Sequence, residues 1–90
     1  MNRNMLKQAQ QMQAKLAQIQ EEIANTKTES TSGGGVVKAV VIGTSKIESI
    51  TIDPKAVDPE DIELLQDLIL AAVNDAFENA QKLANEKMGQ

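Results

Sequence analysis

The chain has no cysteine, no histidine, no tryptophan and no tyrosine, and only one phenylalanine. Each absence removes a class of chemistry. Without cysteine there is no disulfide and no thiolate metal ligand. Without histidine, zinc and haem lose their usual ligand and acid–base catalysis its usual carrier. A single aromatic ring cannot form the platform on which single-stranded bases stack. Long apolar runs are missing too. VVKAVVI (36–42) is broken by Lys38, LILAAV (68–73) is shorter still, and both fall far below a bilayer span. The N-terminus has no apolar core of the kind a secretory signal needs. These absences predict a soluble cytoplasmic protein that is not an enzyme, with no metal, no cofactor, no membrane and no small-molecule substrate.

Size adds a constraint. Ninety residues are read as a single domain over 1–90, and a chain this short buries a limited share of its surface. With disulfide and metal excluded, association of two copies is the remaining way to complete a core. A homodimer is therefore expected.

Acid is missing from one place in an acidic chain. The net charge is -4, yet residues 1–20 carry Arg3, Lys7 and Lys15 and no Asp or Glu. Residues 56–90 carry two Lys and eight acids. The positive charge thus sits at one end of the sequence and the negative charge at the other.

The first segment is helical by pattern. Met5, Ala9, Met12, Leu16, Ile19 and Ile23 alternate spacings of four and three, a heptad seam with Met5, Met12 and Ile19 at d and the others at a. At about 1.5 Å per residue the helix spans about 33 Å. One narrow stripe is apolar, and it fits either the protein's own sheet or a second copy. Arg3 and Lys7 fall at b and f, facing outward, and Lys15 at g.

Residues 26–32, TKTESTS, suit an edge strand. Gly33–Gly35 form a flexible reversal, and with a strand rather than a helix following they are no phosphate loop. VVKAVVIG (36–43) puts Val37, Ala39 and Val41 on one face and Val36, Lys38, Val40 and Ile42 on the other, which predicts a central strand or one covered on both sides. After the turn GTSK, IESITID (47–53) alternates, with Ile50 and Ile52 opposite Ile47, Ser49 and Thr51. The three strands read as an antiparallel meander.

Asp58 is the expected N-cap of the last helix, with Pro59 in its first position and Glu60 and Asp61 against the dipole. Capping accounts for these acids without a metal, since they lack the spacing of a calcium loop. The helix is expected to reach about Met88. Between 62 and 77 its apolar residues cover more than one stripe, so two sides are expected to be buried. Asn74 is read either as exposed or as a buried amide fixing register. The expected dimer interface is Val40 and Ile42 on the strand, with Leu65, Ile69, Ala72, Val73 and Ala76 on the helix. The fold class is α+β, in the order α-β-β-β-α, with a three-stranded antiparallel meander and two long projecting helices.

Serines without a histidine or cysteine partner mark no nucleophile. Three bases on one helix are either a solvated face or a salt-sensitive contact for phosphates.

These segments together resemble the YbaB/EbfC family of bacterial nucleoid-associated proteins. The resemblance rests on LKQAQQMQAKLAQIQEEI (6–23), GGVVKAVVIG (34–43), IESITIDPKAV (47–57) and LLQDLILAAVNDAFENAQK (64–82). KQAQQMQ and NDA are its most specific pieces. It implies a homodimer with joined sheets and projecting helices, located in the nucleoid. It implies binding of duplex DNA with low sequence preference, in nucleoid organisation or transcription regulation. Carried to this chain, the DNA contacts would be Arg3, Lys7 and Lys15, with Lys82 and Lys87 as further candidates on the acidic helix. Val40 and Ile42 stand where the family is more often polar. The alternative is a dimeric protein-interaction module whose helices clamp a partner protein on the Met- and Ala-lined seam.

Overall fold

A computed structural model describes residues 2–89; the expected domain limits at 1 and 90 lie just outside. Its order is α1 (Arg3–Asn25), β1 (Lys27–Ser32), β2 (Val37–Ile42), β3 (Lys46–Ile52) and α2 (Ile62–Met88). The α-β-β-β-α reading is borne out, and so is the meander: the strands pair antiparallel in the order β1-β2-β3. The body is a rod, 71 × 16 × 16 Å between Cα extremes, because both helices run well past the sheet.

The core is small and built from small residues. Val37, Ala39 and Val41 on the inner face of β2 meet Ala72, Ala76 and Ala80 of α2. Alanines at every fourth position make a low ridge along the helix, so α2 lies close to the strands. It covers β1 and β2. The Ser32 hydroxyl donates to the Leu68 carbonyl oxygen at 2.6 Å, fastening the end of β1 to the helix.

The turn after β1 is ordered rather than loose. All three glycines have positive φ. At Gly33 a Cβ would lie 2.8 Å from Val36 Cγ2 and 3.0 Å from Leu68 Cδ2. Glycine is needed there for both backbone angle and clearance.

β3 departs from simple alternation. Val40 pairs with Ser49 but Val41 pairs with Ile47, leaving Glu48 as an extra residue. This bulge returns Ile47 to the face of Ile50 and Ile52, rather than the opposite face expected from the sequence. All three isoleucines share the inner face of Val37, Ala39 and Val41. α2 does not extend over them: Ile47 is 43% and Ile50 41% exposed.

The start of α2 also differs. Asp58 accepts from the Glu60 amide and Asp61 N–H donates to Asp58 O, closing a turn with Pro59 inside it. Asp61 is the N-cap, accepting from Leu64 N–H at 3.3 Å. The capping chemistry expected at Asp58 makes a turn instead, and the helix begins three residues later. Asn74 is exposed.

Two-sided burial of α2 does not occur within one chain. Only the alanine face is fully buried, while Ile62, Leu64 and Leu70 are exposed. Likewise β2 is covered on one face: no helix lies over Lys38, Val40 and Ile42, which are half-buried. Their outer face is crossed by two ion pairs, Lys27–Glu48 at 2.9 Å and Lys38–Glu29 at 4.0 Å. α1 packs on neither its own sheet nor any other layer along most of its length. It contains no buried residue.

Candidate nucleic-acid interface

α1 begins on a defined cap: Asn2 Oδ1 accepts from the Asn4 amide at 2.9 Å. No acid occupies its first turn. Arg3 instead takes the first helical position, where the positive end of the dipole disfavours a cation. Lys7 follows one turn on. Both charges therefore add to the positive potential of the exposed helix amides, a combination suited to an anion. Lys15 lies about 18 Å from Arg3 along the axis. All three side chains are exposed, and none makes an ion pair among the described residues.

The helix wheel separates these cations from the seam. At about 100° per residue, Arg3 and Lys7 lie roughly 160° around from the mean direction of Met5, Ala9, Met12 and Leu16, and Lys15 about 90°. A ligand on the Arg3–Lys7 face leaves the apolar seam untouched.

The two other sequence-derived candidates are held differently. Lys82 is exposed and 3.9 Å from Glu78, one turn before it on the same helix. Lys87 is half-buried and its Nζ donates to Thr26 Oγ1 at 3.3 Å. Thr26 Oγ1 in turn donates to Glu22 O at 2.6 Å. Lys87 thus fastens the end of α2 to the elbow between α1 and β1 and is not presented outward.

One cation emerges that the sequence reading did not single out. Lys46 stands at the foot of α1, in an open groove of about 360 Å³ lined also by Gln20, Ile23 and Gly43–Ser45. It makes no ion pair among the described residues. Its signal was present in the turn GTSK, a lysine beside a hairpin tip. Its nearness to α1 comes from the chain reversing at Thr26 and again at Gly43, whose N–H donates to Thr26 O at 2.9 Å.

The residues expected at a dimer interface divide into three groups. Val40 and Ile42 lie on the outer face of the sheet. Leu65, Ile69 and Val73 are half-buried along the margin of the core. Ala72 and Ala76 are 0% exposed within the single chain, so they are core residues and offer a partner no surface. The small alanine side chains that read as part of an apolar flank are the ones the sheet itself covers. Exposed apolar side chains outside α1 include Ile47 and Ile50 of β3 and Ile62, Leu64 and Leu70 of α2.

Among the described residues there is no cluster of three metal-ligating acids, and no helix is long and apolar enough to cross a membrane.

Comparison with known proteins gives a consistent result. The family model described as the YbaB/EbfC DNA-binding family matches residues 1–90. A nucleoid-associated protein of Nocardia farcinica is 54% identical over 85 residues, 94% of this chain and 77% of that protein. One from Pelotomaculum thermopropionicum is 52% identical over 86 residues, 96% and 82% of the two chains. One from Streptomyces avermitilis is 55% identical over 85 residues, 94% and 75%. Among solved structures, an uncharacterized protein from Helicobacter pylori superposes with a TM-score of 0.75 at 25% identity, covering 96% of this chain and 91% of that one.

Proposed function

Because the chain belongs to the YbaB/EbfC DNA-binding family, we propose that it acts as a homodimer that grips duplex DNA with the tips of its α1 helices. It does so with low sequence preference, in nucleoid organisation or transcription regulation. The observation that carries the reading is the acid-free first turn of α1, with exposed Arg3 and Lys7 at the end of the helix where they cost helix stability. Lys15 and Lys46 continue the positive track toward the sheet. Phosphates are recognised by these charges without regard to base sequence.

The dimer would form on the open inner face of β3. Ile47 and Ile50 on β3 and the half-buried Leu65, Ile69 and Val73 of α2 would supply its apolar contacts. A second copy related by a twofold axis covers that face, joining the sheets through β3 and leaving both arms outward. Val40 and Ile42 stay on the outer sheet face. In this reading Lys82 and Lys87 serve α2 and its elbow rather than DNA.

The relatives named as nucleoid-associated proteins support a place in the nucleoid for this chain as well. The rival use of the arms, clamping a partner protein between them, draws on the exposed methionines of α1. Salt separates the two. A gel-shift titration on a random duplex at low and physiological salt, with light scattering for mass, is the test. A twofold mass and a steep loss of binding with salt are expected; a monomer, or salt-insensitive binding, would overturn the reading.

A further inference from the structure

α1 outruns the helix beside it. α2 runs antiparallel to α1 and stops at Met88, next to Leu16 and Ile19. Only Ile19 and Ile23 are half-covered, while Met5 is 64% and Met12 68% exposed. Two heptads of a charge-free seam therefore stand without a partner. A strict 3.5-residue period is the relief of a helix-to-helix contact. The seam also points away from the Arg3–Lys7 face, so DNA on that face does not cover it.

We propose that the α1 tips of two molecules pair antiparallel, seam to seam, once DNA holds them, so that the protein bridges two duplexes. This rests on the DNA-binding reading above. Antiparallel pairing places a positions against d positions. With the overlap centred between Ala9 and Met12, Met5 meets Leu16 of the other copy and Ala9 meets its Met12. Each central layer then sets a small side chain against a large one. Parallel pairing would instead stack Ala9 on Ala9 and leave a gap between methionine layers. The register also brings each Met5 to a notch that already exists. It measures about 190 Å³, lies where α2 ends, and is lined by Met12, Lys15, Leu16, Ile19 and Met88. Lys15, on the g flank, faces Gln8 of the other helix and no cation.

Charge and area make the pairing conditional on DNA. Residues 1–20 carry three bases and no acid, so two bare arms repel. Phosphates on the outer faces remove that repulsion. Four seam side chains per arm fall short of the ~1,000 Å² expected of an independent interface. The contact is therefore significant only at the local concentration that bound DNA creates.

The experiment uses bead-bound duplex, the whole protein and a second labelled duplex. Wild-type protein is expected to capture the second duplex. Met5→Gln/Met12→Gln is expected to bind one short duplex within about twofold of wild type but to lose about tenfold or more of the capture. The chain has no cysteine of its own, so register is read by mixing Ala9→Cys and Met12→Cys proteins under mild oxidation. A mixed disulfide that forms on DNA and not without it supports the proposal. Capture that survives the methionine double variant overturns it. So does a cross-link that pairs Ala9→Cys with itself, or one that is absent on DNA while single-duplex binding is intact. Loss of single-duplex binding by wild-type protein would instead sink the DNA-binding reading, and the bridge with it.

Discussion

Replacing Arg3, Lys7 and Lys15 together by Gln isolates the contribution of α1 to DNA affinity. Counterion release makes the logarithm of affinity fall with the logarithm of salt by about 0.9 per phosphate contact. Three exposed cations on one arm give a slope of about -2.7, and a fourfold rise in salt then weakens binding about 40-fold. Two arms acting at once give a slope of about -5.4 and a loss of roughly 2,000-fold. The wild-type slope therefore reports whether one arm or two engage. The triple variant removes those contacts and should cut the slope by about 2.7 per engaged arm, leaving only what Lys46 and the sheet supply. Gln has nearly the helix propensity of Lys and Arg, and removing Arg3 relieves an unfavourable charge at the helix start. The melting temperature should thus move by no more than about 3 °C. Fluorescence anisotropy on a 20-base-pair duplex across a salt series reads the slope, and circular dichroism reads the fold. A variant that keeps the wild-type slope would show that the arms are not where phosphates bind.

Other expectations follow from packing and caps. Ile50→Lys should yield a folded species of half the mass in light scattering, because it places a charge on the open inner face of β3. Ala76→Leu has no space between α2 and β2 and should destabilise by about 1–3 kcal/mol in a denaturant melt. Gly33→Ala should cost about 1 kcal/mol or more by the same assay, since φ is +61° and its Cβ would crowd Val36. Asp61→Ala should cost about 1 kcal/mol, while Asp58→Ala, which loosens only a turn, should cost less; the reverse order would return the helix start to Asp58.

Elements with strong periodicity were legible in the sequence. The heptads of α1, the Gly triplet and the Val37–Ala39–Val41 face all stand where pattern placed them. What pattern missed was local competition and coverage. The bulge at Glu48 inverted Ile47, because alternation cannot register an extra residue. Two neighbouring aspartates both had capping chemistry, and Pro59 drew the first into a turn. Ala72 and Ala76 read as an open flank since apolar content says nothing of which stripe the sheet takes. The contact of Lys87, a DNA candidate carried over from the resemblance, with Thr26 was not legible, because the two are sixty-one residues apart in sequence and meet only through the fold. Arg3, Lys7 and Lys15 needed no tertiary information, as an isolated rod exposes whatever it carries.

The alanine ridge of α2 has a mechanical consequence. Four identical methyl groups, one per turn, present β2 with the same relief after a slide of about 6 Å along the helix axis. The alanine ridge by itself therefore does little to fix the lengthwise position of α2. The detents are the Ser32 hydroxyl on the Leu68 carbonyl and the close seat of Leu68 against Gly33, both at the base of the rod. A ratchet held at one tooth keeps its reach fixed. The distance by which α1 overhangs α2 is set there, by residues far along the sequence from the tips that use it.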